Sequence, residues 1–230
     1  PAEFDAVYGD RNMVIQVPTT IDSTLRTDEQ LGSNEGSVYL LPTETGRPQK
    51  HYIKFGGLRT AQVDEGEVAV STTDHIWTEY LADTIYERMG VTTPRTRMVT
   101  VEGRIGHDSE WVDETTDSPP SREVTTLNGG FVVDAWLANW DVVYNAGNTL
   151  EVDGIVYRAD NGGALDLRAQ GQRKSGDVWN DEVLELRVGD NDERLGLGMR
   201  QKYPGLTDEE VRAQAQDLRT KMTDAAIDQM

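Results

Sequence analysis

Two charged residues in the first half of the chain have the spacing of a phosphate-contacting pair. Lys54 lies within residues 52–57, whose apolar neighbours predict a β-strand, and Glu79 follows it by 25 residues on a predicted helix. A strand lysine held by a helix glutamate can aim its ammonium group at the α- and β-phosphates of a nucleotide. A lysine on a strand is otherwise most often an exposed edge residue, so this interpretation depends on the pairing with Glu79.

A run of small residues comes directly before the first predicted strand. Its candidate phosphate-binding members are Gly32, Ser33, Asn34, Gly36 and Ser37. Small side chains allow backbone amides to approach a phosphate closely. The alternative is an ordinary turn, which is the more frequent use of such a sequence.

A predicted hairpin brings two further candidates together. Residues 149–152 and 155–159 have strand patterns, and Asp153-Gly154 between them is typical of a two-residue turn. That turn pairs the strands so that Asn148 lies directly opposite Ala159. Asp160 is then one residue beyond the position opposite Asn148.

Asn148 and Asp160 are therefore the candidate metal ligands. Cross-strand neighbours lie about 5 Å apart, and Mg²⁺ prefers oxygen ligands such as carboxylates and amides. A regular pleat would point the two side chains to opposite faces, so the site requires a bulge or a twist at the strand end. The alternative is a polar hairpin in which both residues are ordinary turn formers.

Helical periodicity is clearest over residues 73–89, which end before Gly90. A second, almost wholly apolar helix is predicted over about residues 128–140 and leads directly to Asp141. A polar helix near the C-terminus is predicted to begin with a capping box at residues 207–210.

The remaining patterns predict strands in the first half. Residues 38–41 and 51–55 form a predicted hairpin, and residues 91–101 are predicted to be extended. Residues 1–30 are interpreted as an extended arm or edge strand. Residues 103–122 are rich in Gly, Asp, Ser and Pro, which places a boundary between two lobes near their start.

Composition excludes several classes of protein. The chain has no cysteine and three histidines without ligand spacing, which argues against a zinc enzyme. A formal net charge of −19 disfavours binding to nucleic acid. Scarce lysine beside abundant Asp and Glu is typical of halophilic proteins, and an Arg-rich, high-GC genome is the alternative. No apolar run is long enough to span a bilayer and no secretion signal is visible, so we expect a cytoplasmic or virion-associated protein without membrane contact.

Common nucleotide-binding and hydrolase motifs are missing from the sequence. There is no Walker A motif, no strand-linked G-x-G-x-x-G and no G-x-S-x-G. The candidates that remain are the glycine-containing run, Lys54, Glu79, Asp141, Asn148 and Asp160.

At these residues the sequence resembles the atypical kinases of the HipA-like and phosphatidylinositol 3-/4-kinase-like group, over about residues 31–165. The resemblance implies that residues 32–37 cover the phosphates of ATP, that Lys54 contacts them and that Glu79 orients Lys54. It implies that Asp141 is the catalytic-loop aspartate, and that Asn148 and Asp160 hold Mg²⁺. The sequence departs from the family pattern in two ways. No His follows Asp141, and Asn148 comes seven residues after Asp141. Asn145, four residues after Asp141, is the alternative to Asn148.

The resemblance implies an α+β, two-lobed kinase-like fold. Residues 1–101 would form a small N-lobe with an antiparallel sheet and one helix. Residues 102–230 would form a mainly helical C-lobe that carries the metal-binding β-hairpin. The expected function is ATP- and Mg²⁺-dependent phosphoryl transfer to an unknown protein or small-molecule acceptor, with a Ser/Thr hydroxyl (including the chain's own) as the first choice. The alternative is an inactive kinase-fold binding or structural module, such as a tailed-virus component that contacts other virion proteins.

Overall fold

The computed structural model describes residues 18–27, 35–63, 66–113, 125–167, 173–174, 183–186 and 198–230. Its strands are β1 (Thr19–Ile21), β2 (Gly36–Leu41), β3 (Gln49–Phe55), β4 (Leu58–Val63), β5 (Gly66–Ser71), β6 (Thr96–Val101), β7 (Arg104–Glu110), β8 (Thr149–Val152) and β9 (Ile155–Arg158). Its α-helices are α1 (Thr72–Met89), α2 (Thr125–Asn128), α3 (Phe131–Trp136), α4 (Asp141–Tyr144), α5 (Asp208–Lys221) and α6 (Asp224–Ile227). The fold is therefore of the α+β class.

The first half of the chain builds a five-stranded sheet in the order β1-β6-β7-β3-β2. β1 runs parallel to β6, and the other neighbouring strands are antiparallel. The predicted hairpin of β2 and β3 is confirmed, and its register places Gly36 opposite Lys54. β4 and β5 form a separate two-stranded hairpin.

The turn-rich interpretation of residues 103–122 is wrong at its start. Residues 104–110 form β7, which lies between β6 and β3 in the sheet. Glu102 and Gly103 form the turn that joins β6 to β7, and both have positive φ, 51° and 77°. The predicted lobe boundary between residues 101 and 102 lies at the start of this turn and stays a prediction.

Helix α1 confirms the helix predicted at residues 73–89 and begins one residue earlier. The single helix predicted over residues 128–140 is wrong, because α3 covers Phe131–Trp136 only, after a turn at residues 129–130 and before Ala138, whose φ is positive at 48°. Gly130 lies against the buried Arg158, where a Cβ would lie 2.3 Å from the guanidinium Nη2. This position therefore requires a residue without a side chain.

The hairpin of β8 and β9 has the predicted register. Val152 pairs with Ile155 across a turn in which Asp153 and Gly154 both have positive φ, 51° and 79°. Positive φ at both central residues is the geometry that the right-handed twist of a hairpin favours. The Ala159 amide donates to the carbonyl of Asn148 at 2.9 Å, which extends the pairing to the candidate metal ligands.

Two apolar clusters stabilise the described residues. The smaller cluster lies in the five-stranded sheet and includes Ile53, Phe55 and Val99. The larger one joins α1 to the second half of the chain and is built around Tyr86, Phe131 and Leu137. The capping box predicted for α5 is present, with Thr207 and Glu210 each bonded to the other's backbone. Within the described ranges, no helix is long and apolar enough to cross a bilayer.

A buried ion pair lies inside the larger cluster. Arg158 Nη2 donates to Asp134 Oδ2 at 2.9 Å, and both side chains are fully buried. Tyr86 and Tyr203 each donate a hydroxyl proton to the same carboxylate at 2.7 Å. A buried charge of this kind is tolerated only because its partners replace the lost water.

We predict that Asp134→Asn lowers the free energy of unfolding by about 3–5 kcal/mol, because it leaves the Arg158 charge buried without a counterion. Urea denaturation monitored by tryptophan fluorescence measures this change. The matched control is Asp217→Asn, which breaks the exposed Asp217–Lys221 pair on α5 (2.8 Å) and should change the same quantity by less than about 0.5 kcal/mol. Equal effects of the two variants would contradict the prediction.

Candidate functional site

Lys54 is the centre of the candidate site. Its Nζ donates to both carboxylate oxygens of Glu79, at 2.7 and 3.0 Å, and to Asp160 Oδ1 at 2.6 Å. The predicted ion pair between Lys54 and Glu79 is thus present. The structure adds Asp160 as a second carboxylate on the same ammonium group, so three distant segments meet at one point: β3, α1 and the turn after β9.

The three side chains of this triad differ in exposure. The side chains of Lys54 and Glu79 are 11% and 4% exposed, whereas that of Asp160 is 51% exposed. Asp160 is therefore the member of the triad that an incoming ligand can reach. Lys54 and Glu79 are the buried members of the triad.

The pKa values follow from this arrangement. Burial by itself lowers the pKa of Lys54, but the carboxylates of Asp160 and Glu79 outweigh burial and raise it above the usual value. The Lys54 ammonium in turn holds the pKa of Asp160 below its usual value, against the effect of desolvation. Both groups are charged at neutral pH.

Local backbone geometry explains how Asp160 reaches Lys54. Asp160 has φ 53° and ψ 60°, a left-handed conformation that turns the chain sharply at the end of β9. The backbone is thus irregular at this strand end, and the predicted metal site of Asn148 and Asp160 stays a prediction. The following turn, Asn161–Gly163, packs on α1 so closely that a Cβ on Gly162 would lie 2.4 Å from the His75 ring. The absence of a side chain at Gly162 therefore allows the turn to approach α1.

Asp141 and Asn148 form a second part of the site. Asn148 Nδ2 donates to Asp141 Oδ2 at 2.7 Å, and Asn148 is 3% exposed. Burial raises the pKa of Asp141, and the negative charge of Asp160 raises it further. Asn145, the competitor of Asn148, is exposed, and its side chain accepts from the Gly147 amide within its own turn. The structure thus brings Asn148, and not Asn145, to Asp141.

The glycine-containing run is described only at its end. Gly36 lies directly opposite Lys54 on β2, and a Cβ there would lie 2.7 Å from the Tyr52 hydroxyl. Ser37 is buried within the sheet. Gly32, Ser33 and Asn34 lie outside the described residues.

The donor chemistry of the site fits a Mg²⁺ ion. Asp160 offers a half-exposed carboxylate, and Asn148 would add an amide oxygen. The charge of Asp160 also acts on the neighbouring Asp141, and a cation held by Asp160 would reduce this repulsion. The described ranges hold no group of three or more His, Cys, Asp and Glu side chains suited to a metal. A Mg²⁺ ion here would therefore depend on ligand phosphates as well, which is its usual mode in nucleotide sites.

Sequence reasoning missed three buried residues beneath the triad: Asp83, His107 and Asn161. His107 Nε2 lies 3.1 Å from Asp83 Oδ2, and Asn161 Nδ2 donates to Asp83 Oδ1 at 2.7 Å. The position of Asp83 was a usable signal, because it lies four residues after Glu79 and so on the same helical face. His107 was hidden by the turn-rich interpretation of its strand.

We predict that His107 contributes stability that is lost as the pH rises. Burial lowers the pKa of His107, but the charges of Glu79 and Asp83 outweigh both burial and the opposing charge of Lys54, and raise it above the usual value. This stabilisation is complete below the unfolded pKa of about 6.5 and disappears as the pH rises through the folded pKa. Urea unfolding between pH 6 and 9 should therefore show a smaller decline in stability for His107→Gln than for the wild type, and parallel curves would contradict the prediction.

Comparison with known proteins gives little beyond this geometry. No protein-family profile matches the sequence, and no curated protein matches it. Among solved structures, the chain is similar to the crystal structure of a proinflammatory kinase, CtkA, from Helicobacter pylori. The sequences are 15% identical, the TM-score is 0.45, and the match covers 91% of this chain and 96% of the other. This likeness is distant and assigns no function by itself.

Proposed function

We propose that this protein is an ATP- and Mg²⁺-dependent phosphotransferase with a kinase-like fold of the atypical, HipA-like type. The observation that carries the proposal is the triad, in which the Lys54 ammonium lies between Glu79 and the more exposed Asp160. A lysine held by a helix carboxylate beside a metal-binding carboxylate is the arrangement that contacts nucleotide phosphates in kinases.

Each residue has a role in this proposal. Lys54 contacts the phosphates and Glu79 fixes its position. Asp160 and Asn148 hold Mg²⁺, which when bound neutralises phosphate charge. The glycine-containing run is proposed to cover the phosphates, with Gly36 opposite Lys54, and Ser37, which is buried in the sheet, has no part in this role.

Asp141 is the proposed general base. Its raised pKa makes its carboxylate a better proton acceptor than an exposed aspartate. The acceptor hydroxyl oxygen would form a bond to the γ-phosphorus while the bond from that phosphorus to the β,γ-bridging oxygen breaks. The hydroxyl proton would pass to Asp141 and ADP would leave. A Ser/Thr hydroxyl of a protein is the proposed acceptor, and a small-molecule alcohol is the alternative.

One observation favours a second candidate, a kinase-fold module that binds nucleotide without turnover. Val143 stands where the family pattern has its histidine, and it packs against the larger apolar cluster. An aliphatic side chain there can neither donate nor accept a proton. The second candidate includes the virion component named above.

We predict that Asp141→Asn and Asp160→Asn have different effects. Asp141→Asn should leave the affinity for Mg²⁺–ATP nearly unchanged and abolish transfer of labelled phosphate from ATP, because a neutral amide cannot accept the hydroxyl proton. Asp160→Asn should abolish both, because it removes the charge that binds the metal. Binding is measured by thermal shift, and transfer by labelling of the protein itself and of a generic acceptor.

The outcomes separate the two candidates. Wild-type protein that binds Mg²⁺–ATP but labels neither itself nor the acceptor would favour the binding module. Equal loss of binding in both variants would show that Asp141 does not have the assigned role. Unchanged binding in Asp160→Asn would contradict the placement of the metal.

A further inference from the structure

A chain of buried hydrogen bonds runs beneath the triad. It links β7, α1, the turn after β9 and the segment before α4, and its members are at most 4% exposed: His107, Asp83, Asn161, Asn139 and Tyr86. None of these residues belongs to the phosphate-contacting or metal-binding set proposed above.

Asn161 is the junction of this chain. Its Nδ2 donates to Asp83 Oδ1 at 2.7 Å and to the carbonyl of Arg158 at 3.0 Å. Its Oδ1 accepts from Asn139 Nδ2 at 2.8 Å. Both hydrogens and the oxygen of the amide are thus engaged, so residue 161 is fixed relative to α1, β9 and the segment before α4.

The anchoring of Asn161 also fixes Asp160. Asp160 lies between Arg158, which is held by its buried ion pair, and Asn161, which is held by three hydrogen bonds. Its left-handed backbone conformation is uncommon for a non-glycine residue and persists only where neighbouring contacts impose it. The contacts of Asn161 supply that constraint.

Asp83 and Glu79 lie on the same face of α1. Asp83 lies one turn after Glu79 on α1, so a single placement of the helix sets the Asp83–Asn161 bond and the Glu79–Lys54 bond. A shift of α1 along or about its axis would break both together. His107 Nε2 lies 3.1 Å from the second oxygen of Asp83 and ties the helix to β7.

We infer that Asp83 and Asn161 are a positioning pair, which couples the placement of helix α1 to the conformation of the Asp160 turn and so sets the geometry of the Lys54 triad. The meaning of this pair for phosphoryl transfer rests on the proposed function. The coupling itself rests on the geometry alone. Neither residue touches the reacting atoms.

Two variants test this pair by changing which of the two residues can donate the hydrogen bond. Asn161→Asp replaces the amide donor by a carboxyl group beside Asp83 and the Arg158 carbonyl, so the pair keeps its hydrogen bond only by taking up a proton, and the variants are compared at the alkaline end of the pH range in which the wild type is folded. The double variant Asp83→Asn/Asn161→Asp reverses the bond, with the amide of residue 83 donating to the carboxylate of residue 161. Reversal restores the bond between these two residues but not the bond to the Arg158 carbonyl, so recovery is partial, whereas two independent structural defects would add.

The readout is the Nζ chemical shift of Lys54, measured by NMR through its side-chain carbon in the full chain. Five lysines are present, so the Lys54 signal is assigned by its loss in Lys54→Arg. Lys50 supplies the internal control, because its Nζ lies 5.1 Å from the centroid of the Trp111 ring, a contact that depends on the folded sheet and lies away from the Asp160 turn. A merely structural role would disturb both lysine signals equally.

The inference predicts that Asn161→Asp shifts the Lys54 signal toward that of an exposed lysine and leaves the Lys50 signal unchanged, and that the double variant returns Lys54 part of the way to the wild-type position. An unchanged Lys54 signal in Asn161→Asp, or no recovery in the double variant, would overturn it. If the Lys50 signal of Asn161→Asp is that of an unfolded chain, Asn161→Ala replaces this variant, and an unchanged Lys54 signal there would equally overturn the inference.

A parallel measurement separates this inference from the proposed function. In wild-type protein that binds Mg²⁺–ATP, Asn161→Asp should raise the Kd by about 10- to 100-fold, the effect usual for a residue that orients a ligand-binding group, and the double variant should recover part of this loss. Absence of Mg²⁺–ATP binding in the wild type would remove the proposed function, while the Lys54 signal would still decide the coupling.

Discussion

A single buried ammonium group organises this protein. Lys54 can remain charged at 11% exposure only because two carboxylates compensate for the water it has lost. Glu79 comes from α1 and Asp160 from the turn after β9, so this requirement holds the sheet, the helix and the second half of the chain in one arrangement. Removing a partner from such a pair typically costs about 3–5 kcal/mol, far more than an exposed ion pair contributes.

The polar residues beneath Lys54 extend this constraint into the interior. The apolar cluster of the sheet and the apolar cluster around α1 stabilise the fold by burial, which is not directional. The hydrogen-bonded residues Asp83, Asn161 and Asn139 are directional, because each buried donor or acceptor that loses its partner carries a penalty. Apolar burial therefore accounts for the compactness of the protein. The buried hydrogen bonds account for the single relative placement of α1 and the Asp160 turn.

The sequence predicted the parts of the fold that depend on local signals. The register of β8 and β9 followed from Asp153-Gly154, and α1 followed from its periodicity. The pairing of Lys54 with Glu79 was also predictable, since both lie on strongly patterned elements. These are the features in which propensity and tertiary structure agree.

The features that the sequence did not predict depend on contacts between distant residues. The helix predicted over residues 128–140 is interrupted next to Gly130, which lies against Arg158, and ends before Ala138, which has a positive φ, and an apolar run cannot reveal either feature. β7 was missed because its polar pattern, with a buried His107, is unusual for a central strand. The contact of Asp160 with Lys54 depends on a left-handed backbone that no local motif specifies.

The central claim is that the Lys54 triad, with Asn148, holds a nucleotide through its metal. Calorimetric titration of the wild-type protein with ATP, at constant ionic strength and with or without Mg²⁺, tests it most directly. We predict binding with Mg²⁺ and its loss when EDTA removes the metal, because the carboxylates of the site and a net charge of −19 repel an uncompensated triphosphate. Equal binding with and without Mg²⁺, or no binding under either condition, would contradict the claim.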